Sequence, residues 1–367
     1  TSVNNMNTAR RADSLFGIQT ASIVAGGYTT TQVASTEEYN GTTWTEIADI
    51  SAASYYGSGV GSTTAGMYCQ GLPSNTRTEE FNTTVNTVTA AAWASGGNYP
   101  TNNYGLQGAG SQTAALAWGG DAAGATTNVT AEYNGSSWTT SGNYPFNGWR
   151  IGGDGTQTAA IGSGGVNNSA DFQPTTNTYD GSSWTDSGND LPANRRSHAM
   201  VGTQTSALVF AGSPTTTTLE YNGSSYSSAP ALATPRAGMH ALGTQTAALC
   251  GATPPNSASE EYNGSSWSTG GSQVKATGSS AEGNGTGTQT AGMFVGGYPS
   301  QATTQLYDGT IFTTAPNLGS AGYGLGQSSS SSTAALAFGG YRGGYSNSTE
   351  EFTGETTSLN LKTITDS

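Results

Sequence analysis

Apolar and polar positions along this chain recur in short blocks, not in helical stripes. Residues 112–120 read QTAALAWGG, apolar on successive positions and closed by a glycine pair. Such a run predicts a short strand covered on both faces. It returns, with varying fidelity, from Gln19, Thr63, Gln157, Gln204, Gln245, Gln289 and Ser332. A second block, EYNGSSW at residues 132–138, follows each copy of the first, and its aromatic is Tyr39, Phe81, Tyr133, Tyr179, Tyr221, Tyr262, Tyr307 or Phe352. The block runs into Asn-Gly or Asp-Gly (Asn40-Gly41, Asn134-Gly135, Asp180-Gly181, Asn222-Gly223, Asn263-Gly264, Asp308-Gly309). That dipeptide predicts a hairpin with positive φ at both turn positions. The returning strand carries a large aromatic: Trp44, Trp138, Trp184, Tyr226, Trp267 or Phe312. A glycine-rich lead-in, such as RRSHAMVG at 195–202, supplies a first strand, and no segment has a convincing helical period. Each unit therefore predicts four short antiparallel strands.

The eight aromatics of the second block are spaced about 45 residues apart, the signature of a repeat architecture. Eight such units fill the chain and leave no room for a second domain. Residues 1–367 are expected to form one all-β domain, an eight-bladed β-propeller of four-stranded blades. Its first unit is expected to begin near Thr8, and its last outer strand to fall within 357–365. The ring would then close by packing of first against last blade, with no strand borrowed across the seam; alternatively, residues 2–6 would add to the last blade's edge. Copy two departs from the pattern, with Gln70 at the first glycine and NTTVNTV lacking both the Asn-Gly turn and the Trp.

The double glycine, the Tyr before an Asn/Asp turn and the Trp beyond it resemble kelch repeats, in kelch order and over essentially the whole chain. The Ser/Thr/Asn/Gly-rich wording is most similar to kelch-type repeat proteins of marine tailed phages. It is less similar to the charged kelch domains of ubiquitin-ligase adaptors. The resemblance implies a non-enzymatic virion protein, serving host-receptor or glycan adsorption or capsid or tail decoration. Its location would be the virion and its partners other virion proteins, a cell-surface glycan, or further copies of itself. The alternative is a secreted or surface carbohydrate-binding propeller of a bacterium, extracellular or at the cell surface. A sialidase-like or oxidase-like propeller enzyme is the third reading.

Charge narrows the field. Acidic residues outnumber basic ones 23 to 10, for a formal charge of -13. Ten scattered basic residues cannot neutralise a run of phosphates, which argues against nucleic acid and anionic membrane surfaces as partners. No run of 18 apolar residues suggests membrane insertion. Leu, Ile, Val and Phe together make up about 12% of the chain, so the core must rest on Ala, Gly, Tyr and Trp. The repeated Tyr and Trp are accordingly expected to pack between sheets, with Trp44, Trp138, Trp184 and Trp267 mostly buried.

Catalytic groups are few. His198 and His240 fall on first strands, near Arg195, Arg196 and Arg236, with Arg10 and Arg11 at matching positions in unit one. An arginine cluster could hold a carboxylate, or the arginines could recur for structural bonding. The repeated Glu (Glu38, Glu80, Glu132, Glu220, Glu261, Glu351) is a blade apart from its next copy, which suits an edge or a bond to a neighbour, not a paired-carboxylate site. Cys69 and Cys250, in second strands of units two and six, read as buried small hydrophobes with no bridge between them. No metal-ligand spacing and no phosphate loop stands out, so no catalytic residue, metal or cofactor is assigned. The Asn-Gly-Ser/Thr matches to a glycosylation pattern follow from the hairpin turns.

The turns GTQ and NGSS are nearly uniform, whereas the connections at the opposite ends of the strands vary: DAAGATTNVT after Gly120, SPTTTT after Gly212, YRGGYSNST after Gly340. Variable loops on a rigid frame suit recognition. On that face the aromatics Tyr28, Tyr99, Tyr104, Tyr144, Phe146, Trp149, Tyr298, Tyr341 and Tyr345 are expected. Of these, Tyr104, Phe146, Trp149, Tyr298, Tyr341 and Tyr345 are the candidate ligand or partner contacts.

Overall fold

A computed structural model describes residues 4–73, 76–82, 85–212, 215–276 and 285–360. The chain is all-β, and among the described residues its eight repeats yield seven four-stranded antiparallel sheets and one three-stranded sheet, compatible with propeller blades. It divides into two compact units, 1–89 with 356–367, and 90–355.

Sheets are numbered here by repeat. In the smaller unit, sheet 1 joins Ser14–Ile18, Ala21–Ala25, Thr36–Tyr39 and Trp44–Ile47, and sheet 2 joins Ser58–Gly61, Ala65–Cys69 and Thr78–Asn82. In the larger unit, sheet 3 joins Gln107–Ser111, Ala114–Trp118, Thr130–Tyr133 and Trp138–Ser141. Sheet 4 joins Gly152–Thr156, Ala159–Ser163, Thr176–Tyr179 and Trp184–Asp186; sheet 5 joins Ala199–Thr203, Ser206–Phe210, Thr218–Tyr221 and Tyr226–Ala229. Sheet 6 joins Ala241–Thr244, Ala247–Cys250, Ala258–Tyr262 and Trp267–Ser272; sheet 7 joins Thr286–Thr288, Ala291–Val295, Thr304–Tyr307 and Phe312–Ala315.

Sheet 8 corrects the expected seam. Its first three strands are Gly326–Gln327, Ala334–Phe338 and Thr349–Thr353, but its fourth is Ala92–Ser95, from the segment that precedes sheet 3. The strand Thr356–Asn360 instead pairs with Val85–Thr89 in a separate two-stranded ribbon; residues 361–365 lie outside the described residues. Trp93 explains the borrowing. It stands opposite Phe352 as Trp138 stands opposite Tyr133, and its Nε1 donates to Thr304 Oγ1 at 3.0 Å. The aromatic missing from its usual place after the second repeat's turn is thus present, seven residues further on, in the outer strand of sheet 8.

The hairpin turns form, with a different geometry from the one expected. Only the glycine takes positive φ, for example 90° at Gly135. The Asn or Asp before it accepts the backbone N–H groups two and three residues on, as Asn134 Oδ1 does from Ser136 and Ser137, both at 3.0 Å. This side-chain bonding selects Asn or Asp without requiring them to be left-handed. At Asp180 the same bonds, led by the Ser183 N–H, hold the carboxyl down at about 2.

One set of contacts joins successive sheets of the larger unit. The Gln of each GTQ turn reaches back to two carbonyls of the preceding sheet: Gln157 to Ala115 and Tyr133, Gln204 to Ala160 and Tyr179, Gln245 to Ala207 and Tyr221, Gln289 to Ala248 and Tyr262. Gln112 of sheet 3 reaches Ala335 and Phe352 of sheet 8 in the same way. The repeated Glu accepts the hydroxyl of the next sheet's Tyr: Glu132 from Tyr179, Glu220 from Tyr262, Glu261 from Tyr307, Glu351 from Tyr133. Where the Tyr is Phe352, the facing residue is Leu306, not a Glu. Burial and the facing Glu raise the Tyr133, Tyr179, Tyr262 and Tyr307 phenols to about 12, so they remain donors.

The Tyr members of these pairs are buried, but of the four Trp residues only Trp184 is buried, at 9% exposure. Trp44, Trp138 and Trp267 are half-buried, because the outer strand leaves one ring edge in solvent. Cys250 is buried as expected, whereas Cys69 is exposed, a correction that follows from its sharing a sheet face with exposed Val60 and Met67.

Candidate functional site

The residues before each first strand and after each second strand lie at the end of the sheets opposite the NGSS and GTQ turns, since the strands are antiparallel. In the larger unit this end carries an aromatic cluster centred on Tyr104. Its ring lies edge-on to Trp149 and Tyr345 at 5.5 Å each, to Tyr323 at 6.1 Å and to Tyr341 at 6.5 Å. Tyr323 also meets Tyr341 at 5.3 Å and Tyr298 at 5.2 Å. The Arg150 guanidinium lies 4.0 Å over the Trp149 ring, a cation–π contact.

Backbone pairing sets these rings in place. Tyr104 pairs with Asp121, Trp149 with Val166, Tyr323 with Tyr341, and Tyr341 with Tyr345. Arg150 adopts φ of 58° just after Trp149, and Gly105 and Gly324 take positive φ just after Tyr104 and Tyr323. That repeated kink lets Gly105 N–H donate to the Gly324 carbonyl at 2.8 Å and Ser197 N–H donate to the Arg150 carbonyl at 3.2 Å. The preceding side chains are thereby turned outward on a shared rim. Asp121 sits beside the cluster, its Oδ1 accepting Gly124 N–H at 2.7 Å. Burial and then the Asp121 charge raise the Tyr345 phenol.

Of the six candidate contacts, five belong to this assembly: Tyr104, Trp149, Tyr341 and Tyr345 directly, and Tyr298 through Tyr323. All five are half-buried or more exposed, with Tyr298 at 47%. Phe146 does not join them. It packs on Tyr144 at 5.2 Å, and its ring fills the space beside Gly148, so it belongs to the packing between sheets 3 and 4. Tyr99 and Tyr144, also expected on this face, are 1% exposed. Each follows a fourth strand and turns inward over its sheet, Tyr99 against Trp138 and Phe338 and Tyr144 against Trp184. Tyr28 lies in the smaller unit, beneath Arg11 and against Tyr55. Sequence reasoning missed Tyr323 and Arg150; both flank the kink before a first strand, and alignment of the repeats at that kink would have found them.

The arginines and histidines have other surroundings. Arg10, Arg236 and Arg342 pair with Glu37, Glu260 and Glu350 on third strands. The same carboxylates accept loop N–H groups, as Glu260 does from Ala233 and Thr234. These pairs tie the loop between sheets to the sheet beneath it. His198 is pushed down to about 3 by burial and then by Arg195, and His240 to about 4 by burial, so both rings are neutral near pH 7. His198 Nε2 lies 3.1 Å from Ser163 Oγ. Among the described residues no group of three His, Cys, Asp or Glu could hold a metal ion, and no helix is long and apolar enough to cross a membrane.

No protein-family model matches the chain, and no curated protein matches it.

Proposed function

We propose that this chain is a kelch-like propeller protein of a tailed-phage virion that recognises a glycan or a neighbouring virion protein through the Tyr104 cluster, without chemistry. The observation that carries the reading is the cluster itself: six aromatic rings and one stacked guanidinium, gathered from separate repeats onto the variable-loop end of rigid sheets. Half-exposed aromatic faces amid Asn, Ser and Gly suit stacking on sugar rings and docking of protein. The two buried, neutral histidines offer no proton carrier to that end of the molecule.

For the ring, we infer that sheets 3 to 8 close into six blades. The reading is supported by the bonds of Gln112 and Tyr133 to sheet 8, which repeat those joining sheets 3 and 4, 5 and 6, and 6 and 7.

Substituting Tyr104 and Trp149 together with Ala should abolish binding to a glycan array or adsorption to host cells, with the melting temperature changed by no more than a few degrees. Recognition by stacking implies weak dependence on salt. Binding retained in the double variant, or a partner located on the NGSS-turn end when intact particles are imaged, would reject this site.

A further inference from the structure

Seven of the first strands are entered through a residue in the left-handed region: Ala12, Tyr56, Gly105, Arg150, Ser197, Gly238 and Gly324, with φ of 50–67°. Bulky side chains avoid that conformation. Tyr56 is the one aromatic in the series, and its φ is 60°. Its ring is 70% exposed, so burial does not offset the strain. Packing does not explain why a tyrosine stands there.

Its surroundings do. The kinks of sheets 1 and 2 are tied together, as Tyr56 N–H donates to the Ala12 carbonyl at 2.8 Å. Arg11 and Tyr28 exchange both backbone bonds, at 3.1 and 2.8 Å, and Tyr55 and Leu72 do the same at 3.0 and 2.9 Å. These bonds hold the Arg11 guanidinium 5.2 Å from the centre of the Tyr28 ring. They also set Tyr28, Tyr55 and Tyr56 in a row, with ring centroids 5.5 and 5.1 Å apart. A cavity of about 320 Å³ is lined by Arg11, Ala12, Tyr28, Tyr55 and Tyr56. Every one of its walls belongs to the smaller unit. The adjacent Arg10 is satisfied by Glu37 and by the Gly26 and Ser35 carbonyls. Among the described residues, by contrast, the Arg11 guanidinium donates to no group and the three phenol hydroxyls have no partner. No carboxylate lines the cavity.

We propose that this cavity is a second binding site, independent of the Tyr104 cluster, and that its ligand is an acidic sugar held by its carboxylate. A guanidinium presents paired N–H donors that match a carboxylate, and stacking on Tyr28 fixes its plane before the ligand arrives. The tyrosine rings offer faces to the C–H side of a sugar, and their hydroxyls offer hydrogen bonds to its O–H groups. The volume stands at the lower end of the roughly 300–1,000 Å³ that small-molecule sites occupy, which suits a single sugar ring. One cation among three rings favours a singly charged carboxylate on a ring over a phosphate dianion, which calls for more positive charge. A metal ion is disfavoured, because the lining supplies no acidic oxygen. In a chain of formal charge -13, an anion needs a local cation free to meet it, and Arg11 provides one.

The test titrates the full-length chain with glucuronate, and with glucose as the neutral control, followed by saturation-transfer NMR. Glucuronate should bind, and glucose should bind about tenfold more weakly or worse, because it lacks the charged hydrogen bonds. Arg11→Gln should weaken glucuronate binding by about tenfold or more with the melting temperature unchanged. Tyr56→Gly should also weaken it, yet melt no lower than the parent, since glycine adopts the left-handed conformation without strain. The Tyr104→Ala, Trp149→Ala double variant should bind glucuronate as the parent does, which separates failure of this site from failure of the larger unit's cluster. The proposal is overturned if the parent binds no glucuronate or binds glucose equally well. It is overturned too if Arg11→Gln binds glucuronate as tightly as the parent. A Tyr56→Gly chain that melts well below the parent and binds glucuronate unchanged would show that the ring serves the fold, and would reject its place in the site.

Discussion

The glutamine of the GTQ turn is the most direct test of how these sheets are held together. Gln157 donates its amide N–H groups to the Ala115 and Tyr133 carbonyls at 3.1 and 2.8 Å, bridging sheet 4 to sheet 3. Truncation to Ala removes both bonds at a half-buried site. At about 1 kcal/mol net for each bond, the loss is about 2 kcal/mol. For a unit of this size that should lower the melting temperature by about 4–8 °C. Gln157→Glu is the sharper variant, since it places a carboxylate against two carbonyl oxygens and removes every donor. It should be less stable than the Ala variant at pH 7 and approach it below pH 4, when the carboxyl carries a proton. Ser332 provides the control, because it occupies the same place in sheet 8. No side-chain amide bridges there to the Gly292 and Tyr307 carbonyls, and a cleft of about 570 Å³ lies between sheets 7 and 8 instead. Ser332→Ala should therefore shift stability by less than about 0.5 kcal/mol. Calorimetric or circular-dichroism melts of the three variants check this. A Gln157→Ala protein melting within 1 °C of the parent, or a Ser332→Ala protein losing as much as Gln157→Ala, would refute the bridging role.

Two further outcomes are expected. Asp154 is buried, accepting Gly155 and Gly202 N–H groups, and burial lifts its carboxyl to about 6 from 3.8. Between those values the folded protein holds a proton that the unfolded chain has released, so this group's contribution favours folding at low pH and is lost as pH rises through about 6. The loss is about 3 kcal/mol, and Asp154→Asn should remove that slope from urea unfolding measured between pH 4 and 7; an unchanged slope would exclude Asp154 as its source. Phe352→Tyr places a hydroxyl toward Leu306, at the cleft between sheets 7 and 8 and without the carboxylate that faces the other tyrosines, and Leu306→Glu added to it should stabilise the pair by about 1 kcal/mol relative to the sum of the single changes. Additive losses in that double-mutant cycle would show that the Tyr–Glu pairing is incidental.

Much of the secondary structure was legible because each strand is written eight times. The QTAALAW run, the Tyr before the turn and the Asn/Asp-Gly pair recur with enough fidelity that four strands per unit follow from pattern alone. The turn geometry was less legible. Asn-Gly signals a two-residue hairpin by statistics, yet the Asn134 side chain caps a longer loop and only Gly135 turns left-handed. The candidate site was partly legible. Tyr104, Trp149, Tyr341 and Tyr345 could be placed on one end of the sheets, but their convergence depends on sheets 3, 4 and 8 being neighbours, which spacing along the chain does not state. Tyr99, Tyr144 and Phe146 were misplaced because an aromatic after a fourth strand can point outward or fold back, and packing against Trp138 or Trp184 decides it.

What the repeat cannot specify is which sheet follows which, since eight copies of one contact rule are interchangeable. The residues that break the repeat resolve the ambiguity. Third strands TEEF at 78–81 and 349–352 are identical, so Ala92–Ser95 could in principle pair with either. Beyond TEEF the two copies diverge, and the structure pairs Trp93 with Phe352 and joins Val85–Thr89 to Thr356–Asn360. The same logic governs the faces. Consensus residues such as Gln112 and Tyr133 would bond to any sheet offering two carbonyls and a Glu, but only a face left as small as Gly108 accepts the bulk of Phe338. Recognition between sheets thus repeats its hydrogen bonds at most contacts and is specific in its volumes. A chain of near-identical repeats can in this way hold a fixed order of neighbours.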